Sequence, residues 1–368
     1  MSVINEIFRT FGPEYLRRFG SSMPEQHRKV IADICSCRTE ANGATILRCP
    51  DCHHLHRIPR GCGNRHCPGC QQHKGQQWLG RQLEQQLAGH HFLVTFTVPA
   101  EVREFFRSNQ RLAYGALFAA SSQALRTLAA EPRFGPGDLA GFFGVLHTWG
   151  RQLQYHPHIH YVVPGGFLDS ATGQWHPTSQ GFYLPVRALS TLVRAKFRDR
   201  MAKAGVLEQI PAQVWDKGWN VNCQAVGSPE ASIKYLTPYV FRVAIANSRI
   251  VKVENGRVFF RWCHQQSHRL RVIDLDALEF IRRFLQHVLP AGFLKVRYYG
   301  CMNPNFRMSR RKLQCRVEMA FGFSTPAPVA EQSPSIPPVI CEQCGSTMVW
   351  HCSILPYRGR VMASQSTG

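Results

Sequence analysis

Cys49 and Cys52, followed by Cys67 and Cys70, spell C-x2-C-x14-C-x2-C, a spacing that leaves a chain few ways to fold around it. Two thiolates separated by two residues can grip one cation from a single turn, and two such knuckles complete a tetrahedral zinc site. The segment 61–75 is rich in Gly, Cys, His and Arg and poor in branched apolar residues, so it reads as a loop region that only a metal could order. Cys37 and Cys62, with Cys35 and His66, lie in or beside this module and offer ligands for a second site, whereas His53, His54, His56 and His73 read as surface histidines. Cys341 and Cys344, with Cys352 and His351 beyond them, look like a further half-knuckle. Half of the 14 cysteines fall between Cys35 and Cys70 of a 368-residue chain whose first residues lack the apolar run of a secretory signal. That bunching favours metal ligands in a reducing, cytoplasmic compartment over disulfides.

The rest of the chain divides by pattern. Ile4, Ile7, Phe8, Phe11, Tyr15 and Phe19 fit one apolar face, so the first 34 residues predict one or two amphipathic helices. The β-branched and aromatic run 91–98 predicts a strand, 101–130 a long helix, and 141–149 and 157–163 two strands joined by a connection short enough for a hairpin. Further on, the pattern predicts a helix over 186–204, a strand over 219–225, a helix within 230–243, a strand meander over 249–262 and 270–272, a helix over 275–288 and a last strand over 293–299. The Pro- and Ser-rich stretch 324–338 reads as a linker. Three domains are expected: a helical, zinc-binding docking domain over 1–90, a larger domain over 91–300, and an extension over 301–368 holding the linker and a small cysteine module. The fold class is α+β, an antiparallel sheet covered by helices on one side.

The run 155–161, YHPHIHY, carries the chemistry. In a strand His156, His158 and His160 share one face while Ile159 and Tyr161 enter the opposite layer, and neighbouring imidazoles on one face can hold a divalent cation. Downstream, Tyr235 and Tyr239 stand four residues apart, one turn on a continuous helix. Pro238 between them would clash with the carbonyl of Lys234 in a regular helix. Thr237-Pro238 also reads as an N-cap and first helical residue, which leaves Tyr235 before the helix and Tyr239 within it. A phenol with an ordinary pKa of about 10 is a weak nucleophile at neutral pH. A histidine-held cation that withdraws charge from a phosphate and aligns it would make the attack feasible, giving a 5′ phosphotyrosine and a free 3′ hydroxyl.

His-hydrophobic-His followed by paired tyrosines resembles the signature of the HUH endonucleases, and the chain is similar to their two-tyrosine, rolling-circle insertion-sequence transposases. The resemblance runs through CGNRHCPGCQ, GVLHTWGRQLQYHPHIHYVVPGG, YLTPYVFRVAIANSRI and FLQHVLPAGFLKVRYYG. It implies an HUH-type antiparallel sheet, His158 and His160 as ligands of Mg2+ or Mn2+, and Tyr235 and Tyr239 as nucleophiles. A third ligand would be His156, by strand phase, or His147, on the neighbouring strand.

Charge supports a polyanionic partner, since 44 Lys and Arg against 23 acidic residues give a formal charge of +21. DNA, especially single-stranded element ends, is the expected partner, and no basic amphipathic anchor or apolar span points to a membrane. Arg242 and Arg249, with Lys252 and Arg257, are candidate phosphate contacts, and Trp149, Phe241 and Tyr298 candidate stacking surfaces for bases. Two alternatives share parts of this pattern: a plasmid replication initiator or relaxase with the same chemistry, and a zinc-ribbon DNA-binding protein without catalysis.

Overall fold

The structure is a computed structural model that describes residues 2–83, 87, 89–134, 137–169, 171–181, 183–226, 244–264, 267, 269–303, 310–322 and 338–356, without the side chains of 72–74, 76, 79, 83 and 310. It is an α+β protein that divides into two compact units, one of residues Met1–Gln72 with Pro334–Gly368 and one of His73–Ser333.

The first unit opens with helices α1 (Val3–Phe19) and α2 (Glu25–Ser36). Ser2 caps α1 by accepting from the Asn5 amide, and the spacing of Ile4, Ile7, Phe8 and Tyr15 gives it the apolar face that buries with Val30, Ile31 and Ile34 of α2. Asn5, buried among them, donates from Nδ2 to the Ile34 carbonyl at 3.3 Å and to Cys67 Sγ at 3.4 Å, so the helix pair is tied to the cysteine module by a polar side chain. Strands β1 (Ala44–Arg48) and β2 (Leu55–Pro59) form an antiparallel hairpin with Leu47 opposite His56. Helix α3 (Pro68–Leu83) follows, where the sequence predicted a loop up to residue 75. Pro68 suits a first helical position, because its missing N–H is not needed there.

The second unit is built on a five-stranded antiparallel sheet. Its strands are β3 (His91–Thr97), β4 (Gly141–Trp149), β5 (Tyr155–Pro164), then, after the small pair β6 (Gly166–Leu168) and β7 (Trp175–Pro177), β8 (Asn220–Ala225). The fifth comes after a separate meander of β9 (Ile250–Glu254), β10 (Arg257–Cys263) and β11 (Leu270–Asp276); it is β12 (Val296–Gly300), and the order is β12-β4-β5-β3-β8. Helices α4 (Arg103–Ser108) and α5 (Gln110–Ala129) replace the single helix expected over 101–130, with a break at Asn109, whose φ of -121° and ψ of 43° are not helical. Helix α6 (Val186–Lys203) lies where its pattern placed it. α7 (Ala277–Leu285) starts only after Asp276, whose carboxylate caps it by accepting from the Leu278 and Glu279 amides, so Leu275 remains in the strand. The last strand likewise begins at Val296, not at residue 293, and α8 (Arg310–Phe321) has no counterpart among the sequence expectations. The helix expected within 230–243 and the linker over 324–337 lie outside the described residues.

The two faces of the five-stranded sheet differ. One carries Phe92, Val94 and Phe96 of β3, Phe142 and Leu146 of β4, and Ile159, Tyr161 and Val163 of β5, packed with the apolar sides of α5 and α6 in the main core. Large side chains fully buried there contribute roughly 1.5–3 kcal/mol each. Tyr161 enters this core with its hydroxyl 2.7 Å from Ser121 Oγ, which spares it the cost of an unpaired polar atom. Gly144 lies opposite Tyr161 in the register, and a Cβ at Gly144 would fall 2.4 Å from the tyrosine ring, so only glycine leaves the ring its space. On the reverse face Leu93, Phe143, Val145 and Val162 pack with Trp78. His147, His158 and His160 continue this second face along β4 and β5.

A last strand, β13 (Val349–Ile354), belongs to the first unit and pairs antiparallel with β1, giving a three-stranded sheet of order β13-β1-β2.

Candidate functional site

Strand alternation alone puts the histidines on one side: along β5 Tyr155, Pro157, Ile159 and Tyr161 are buried, while His156, His158 and His160 between them are half-buried. The antiparallel register then adds His147, which sits directly opposite His158. One ring nitrogen from each of His147, His158 and His160 lies within 4.8 Å of the other two, a spacing a single cation could bridge. His156 has its ring 5.2 Å from that of His158, tilted by 51°, but stays outside this set. Of the two candidates for a third ligand, the neighbouring strand supplies the one the geometry groups with His158 and His160.

Hydrogen bonds choose which nitrogen faces the site. His158 Nδ1–H donates to the His156 carbonyl at 2.7 Å, and a carbonyl cannot donate, so the Nε2 lone pair of His158 is left for a ligand. His160 Nδ1 lies 2.8 Å from Thr95 Oγ1, and Thr95 is the residue paired with His160 across β3. Burial drives the His158 imidazole well below its ordinary pKa and brings His160 down to about 4, so both rings are neutral at neutral pH, the form that binds metal. Arg103, at the start of α4, adds positive charge that lowers His156 and His158 further.

The turn between β4 and β5 is pinned from a distance. His287 is buried, donates from Nε2 to the Leu153 carbonyl at 3.2 Å and meets Thr148 Oγ1 through Nδ1 at 3.2 Å. Leu153 adopts a left-handed φ of 63° in that turn. Trp149 stacks on His147 with ring centroids 5.2 Å apart and holds Lys295 Nζ 4.6 Å from its centroid. Since Trp149 is buried, it supports the histidine and is not the base-stacking platform the sequence suggested. Tyr298 also packs inward, its hydroxyl accepting from Trp78 Nε1 at 2.9 Å.

Arg249 uses its guanidinium to hold carbonyls, donating to Arg261 at 2.7 Å and Arg151 at 2.6 Å. Lys252 pairs with Glu254 and Arg257 with Asp274. Tyr235, Tyr239, Phe241 and Arg242 lie outside the described residues.

The cysteines assemble differently from the expected single site of Cys49, Cys52, Cys67 and Cys70. Cys67 and Cys70 join Cys37 and Cys62, and Cys49 and Cys52 join Cys341 and Cys344, each group having its four sulfur atoms within 4.8 Å of one another. The cause is β2, which intervenes between the two knuckles: five extended residues carry a chain roughly 17 Å. Cys35 instead points its thiol at the Phe8 carbonyl at 3.1 Å, and Cys352 and His351 stand exposed on β13, outside both groups. His66 is buried but joins neither group. Sequence reasoning missed Thr95, His287 and Arg103, because each reaches the site through strand pairing or packing that no spacing along the chain reveals.

Among the described residues no helix is long and apolar enough to cross a membrane. Residues 141–311 match a family model described as "Putative transposase", and residues 7–98 match one described as "Transposase zinc-binding domain". The chain is similar to "Putative transposase y4qJ" of Sinorhizobium fredii, 38% identical over 90% of this chain and 87% of that protein. It is also similar to "Transposase for insertion sequence element IS801" of Pseudomonas savastanoi pv. phaseolicola, 25% identical over 89% of this chain and 83% of that one. No solved structure matches.

Proposed function

The chain belongs to the transposase family of these relatives and carries its zinc-binding domain, and on that premise we propose that it nicks and rejoins single-stranded DNA at the ends of a mobile element, the rolling-circle form of transposition. The observation that carries this reading is the convergence of His147, His158 and His160 on one sheet face with their ligand nitrogens within 4.8 Å of one another. Three imidazoles, of which His158 and His160 are held neutral by burial and have Nδ1 engaged by a carbonyl or a hydroxyl, fit a divalent cation that keeps positions open for phosphate. Bound there, Mg2+ or Mn2+ would draw charge from a non-bridging oxygen of the scissile phosphate and hold it for in-line attack.

Tyr235 and Tyr239 supply the nucleophiles. The phenol oxygen of one bonds to phosphorus, the bond from phosphorus to the 3′ oxygen breaks, and the proton lost by the phenol is balanced by one gained on the 3′ hydroxyl. The phosphotyrosine keeps the energy of the phosphodiester, so attack by another 3′ hydroxyl reseals a strand without ATP. A second phenol allows one site to hold two ends in succession. Arg242 acts as a phosphate contact, Arg103 adds charge beside the histidines, and the excess of 21 positive charges favours DNA over a neutral partner, while Arg249, engaged with two backbone carbonyls, serves to brace the meander.

The test is to incubate the purified full chain with a labelled single strand and Mn2+, denature, and map the modified peptide. We expect an adduct that survives denaturation, lowered or abolished by Tyr239→Phe, and no metal-dependent cutting by the His158→Ala, His160→Ala double variant. Undiminished cleavage by the double variant removes the metal assignment, and absence of any adduct removes the phosphotyrosine.

A further inference from the structure

Two short turns in the first unit, separated by 289 residues between Cys52 and Cys341, share one backbone pattern. In the early turn the Cys49 amide donates to the His54 carbonyl at 2.9 Å and the His53 amide donates back to the Cys49 carbonyl at 3.2 Å. In the late turn the Cys341 amide donates to the Ser346 carbonyl at 2.8 Å and the Gly345 amide donates back to the Cys341 carbonyl at 3.0 Å. Position for position the two agree: cysteine, two residues, cysteine, then a residue of left-handed φ, 62° at His53 and 78° at Gly345. Each turn therefore aims two sulfurs out of one bend.

The four sulfurs meet, Cys49 with Cys344 at 3.3 Å and Cys52 with Cys341 at 3.5 Å, all within 4.8 Å of one another. A tetrahedral zinc with bonds of about 2.3 Å to sulfur requires sulfurs about 3.8 Å apart, inside that range. All four cysteines are free thiols. The surrounding apolar cluster is small, Cys49, Cys341 and Met348 with Leu47 and Val339 against them, too little to hold such a fold without a staple. The strands agree with the turns, because β13 adds to β1 with Ala44 opposite Ile354 and Arg48 opposite Val349.

We propose that Cys49, Cys52, Cys341 and Cys344 hold one zinc ion of their own, as the two halves of a split zinc ribbon, and that this ion fastens the late segment 339–354 to the early hairpin 44–59. The late half lies beyond both family matches, which end at residues 98 and 311, so the zinc-binding domain of the family does not by itself supply it. The ligands bind as thiolates and release their protons, and four protein donors leave no position for substrate, so this ion is structural. The Cys37, Cys62, Cys67 and Cys70 group is a separate site.

Two measurements on the full chain test this, and neither depends on nuclease activity, so they can fail while the phosphotyrosine reading stands, or the reverse. Elemental analysis is expected to give two zinc ions per chain and one after Cys341→Ser with Cys344→Ser. Independently of any cysteine variant, a protease site inserted between Gln332 and Ser333 allows the chain to be cut after folding. The fragment from Ser333 onward should co-elute with the remainder in gel filtration and separate once a zinc chelator is added. One zinc in the unaltered chain, two in the double-serine variant, iron in place of zinc, or a fragment that leaves on cutting with zinc retained elsewhere would each overturn the proposal. So would a fragment that chelation fails to release.

Discussion

The cysteine groups and the histidine group gather ligands in opposite ways. Each cysteine group closes on itself with four sulfurs, and its members come from segments that only folding brings together. The three histidines come from two adjacent strands of one hairpin and approach from a single sheet face. A site filled by protein on all sides stabilises a fold, whereas donors on one side leave room for a reactant. The same contrast appears in what holds the donors without metal: an apolar cluster of a few residues around Cys49 and Cys341, against a main core that draws on β3, β4 and β5 and on helices α4, α5 and α6 behind the histidine sheet.

This contrast can be broken most directly at Cys67. Cys67→Ser should remove zinc from the group with Cys37, Cys62 and Cys70 and abolish cooperative unfolding of residues 1–72, since structural zinc contributes on the order of 10 kcal/mol to a small domain. Hydrogen exchange is the measurement, and slow exchange in 141–163 should persist; its collapse would mean that the sheet, too, depends on the thiolates. Next in size, Gly144→Ala forces a Cβ against the Tyr161 ring and should lower the stability of the sheet unit by about 1–3 kcal/mol with the zinc content unchanged, read by thermal unfolding and metal analysis. Thr95→Val removes the hydroxyl beside His160 Nδ1 and should weaken Mn2+ binding about tenfold, by calorimetry, at nearly constant melting temperature. An unchanged affinity would mean that the strand alone orients the ring. The smallest effect belongs to His156→Ala, expected to change Mn2+ affinity by less than about threefold, under about 0.7 kcal/mol, because its ring stands outside the ligand set. A larger loss would return His156 to the site.

The histidine strand was legible because period-two alternation is local: the pattern of 155–161 states which side chains share a face before any partner strand is known. His147 could be offered only as one of two third ligands, since the register that puts it opposite His158 is a property of the pair. The cysteines mark the limit of spacing. Both cysteines of each C-x2-C pair fall in the same group of sulfurs, but which pairs meet depends on β2 and on a segment almost 300 residues later, and nothing in the spacing encodes either. The stretch up to residue 75 looked unable to order itself, yet Pro68 starts a helix there. Asn109 broke what looked like one helix because its backbone leaves the helical region, a local event hidden inside an unbroken apolar pattern.

The pairing of β1 with β13 sets an order of events during synthesis. A ribosome delivers residues 44–59 early and 349–354 only after the whole His73–Ser333 unit has been made. The central strand of the early sheet therefore waits with one edge unpaired for most of translation. A message broken in its last tenth would yield a chain whose sheet unit is entire in sequence and whose β1 edge stays bare, open to pairing with another chain, so damaged copies of the gene would tend to produce aggregating and clearable products instead of a working protein.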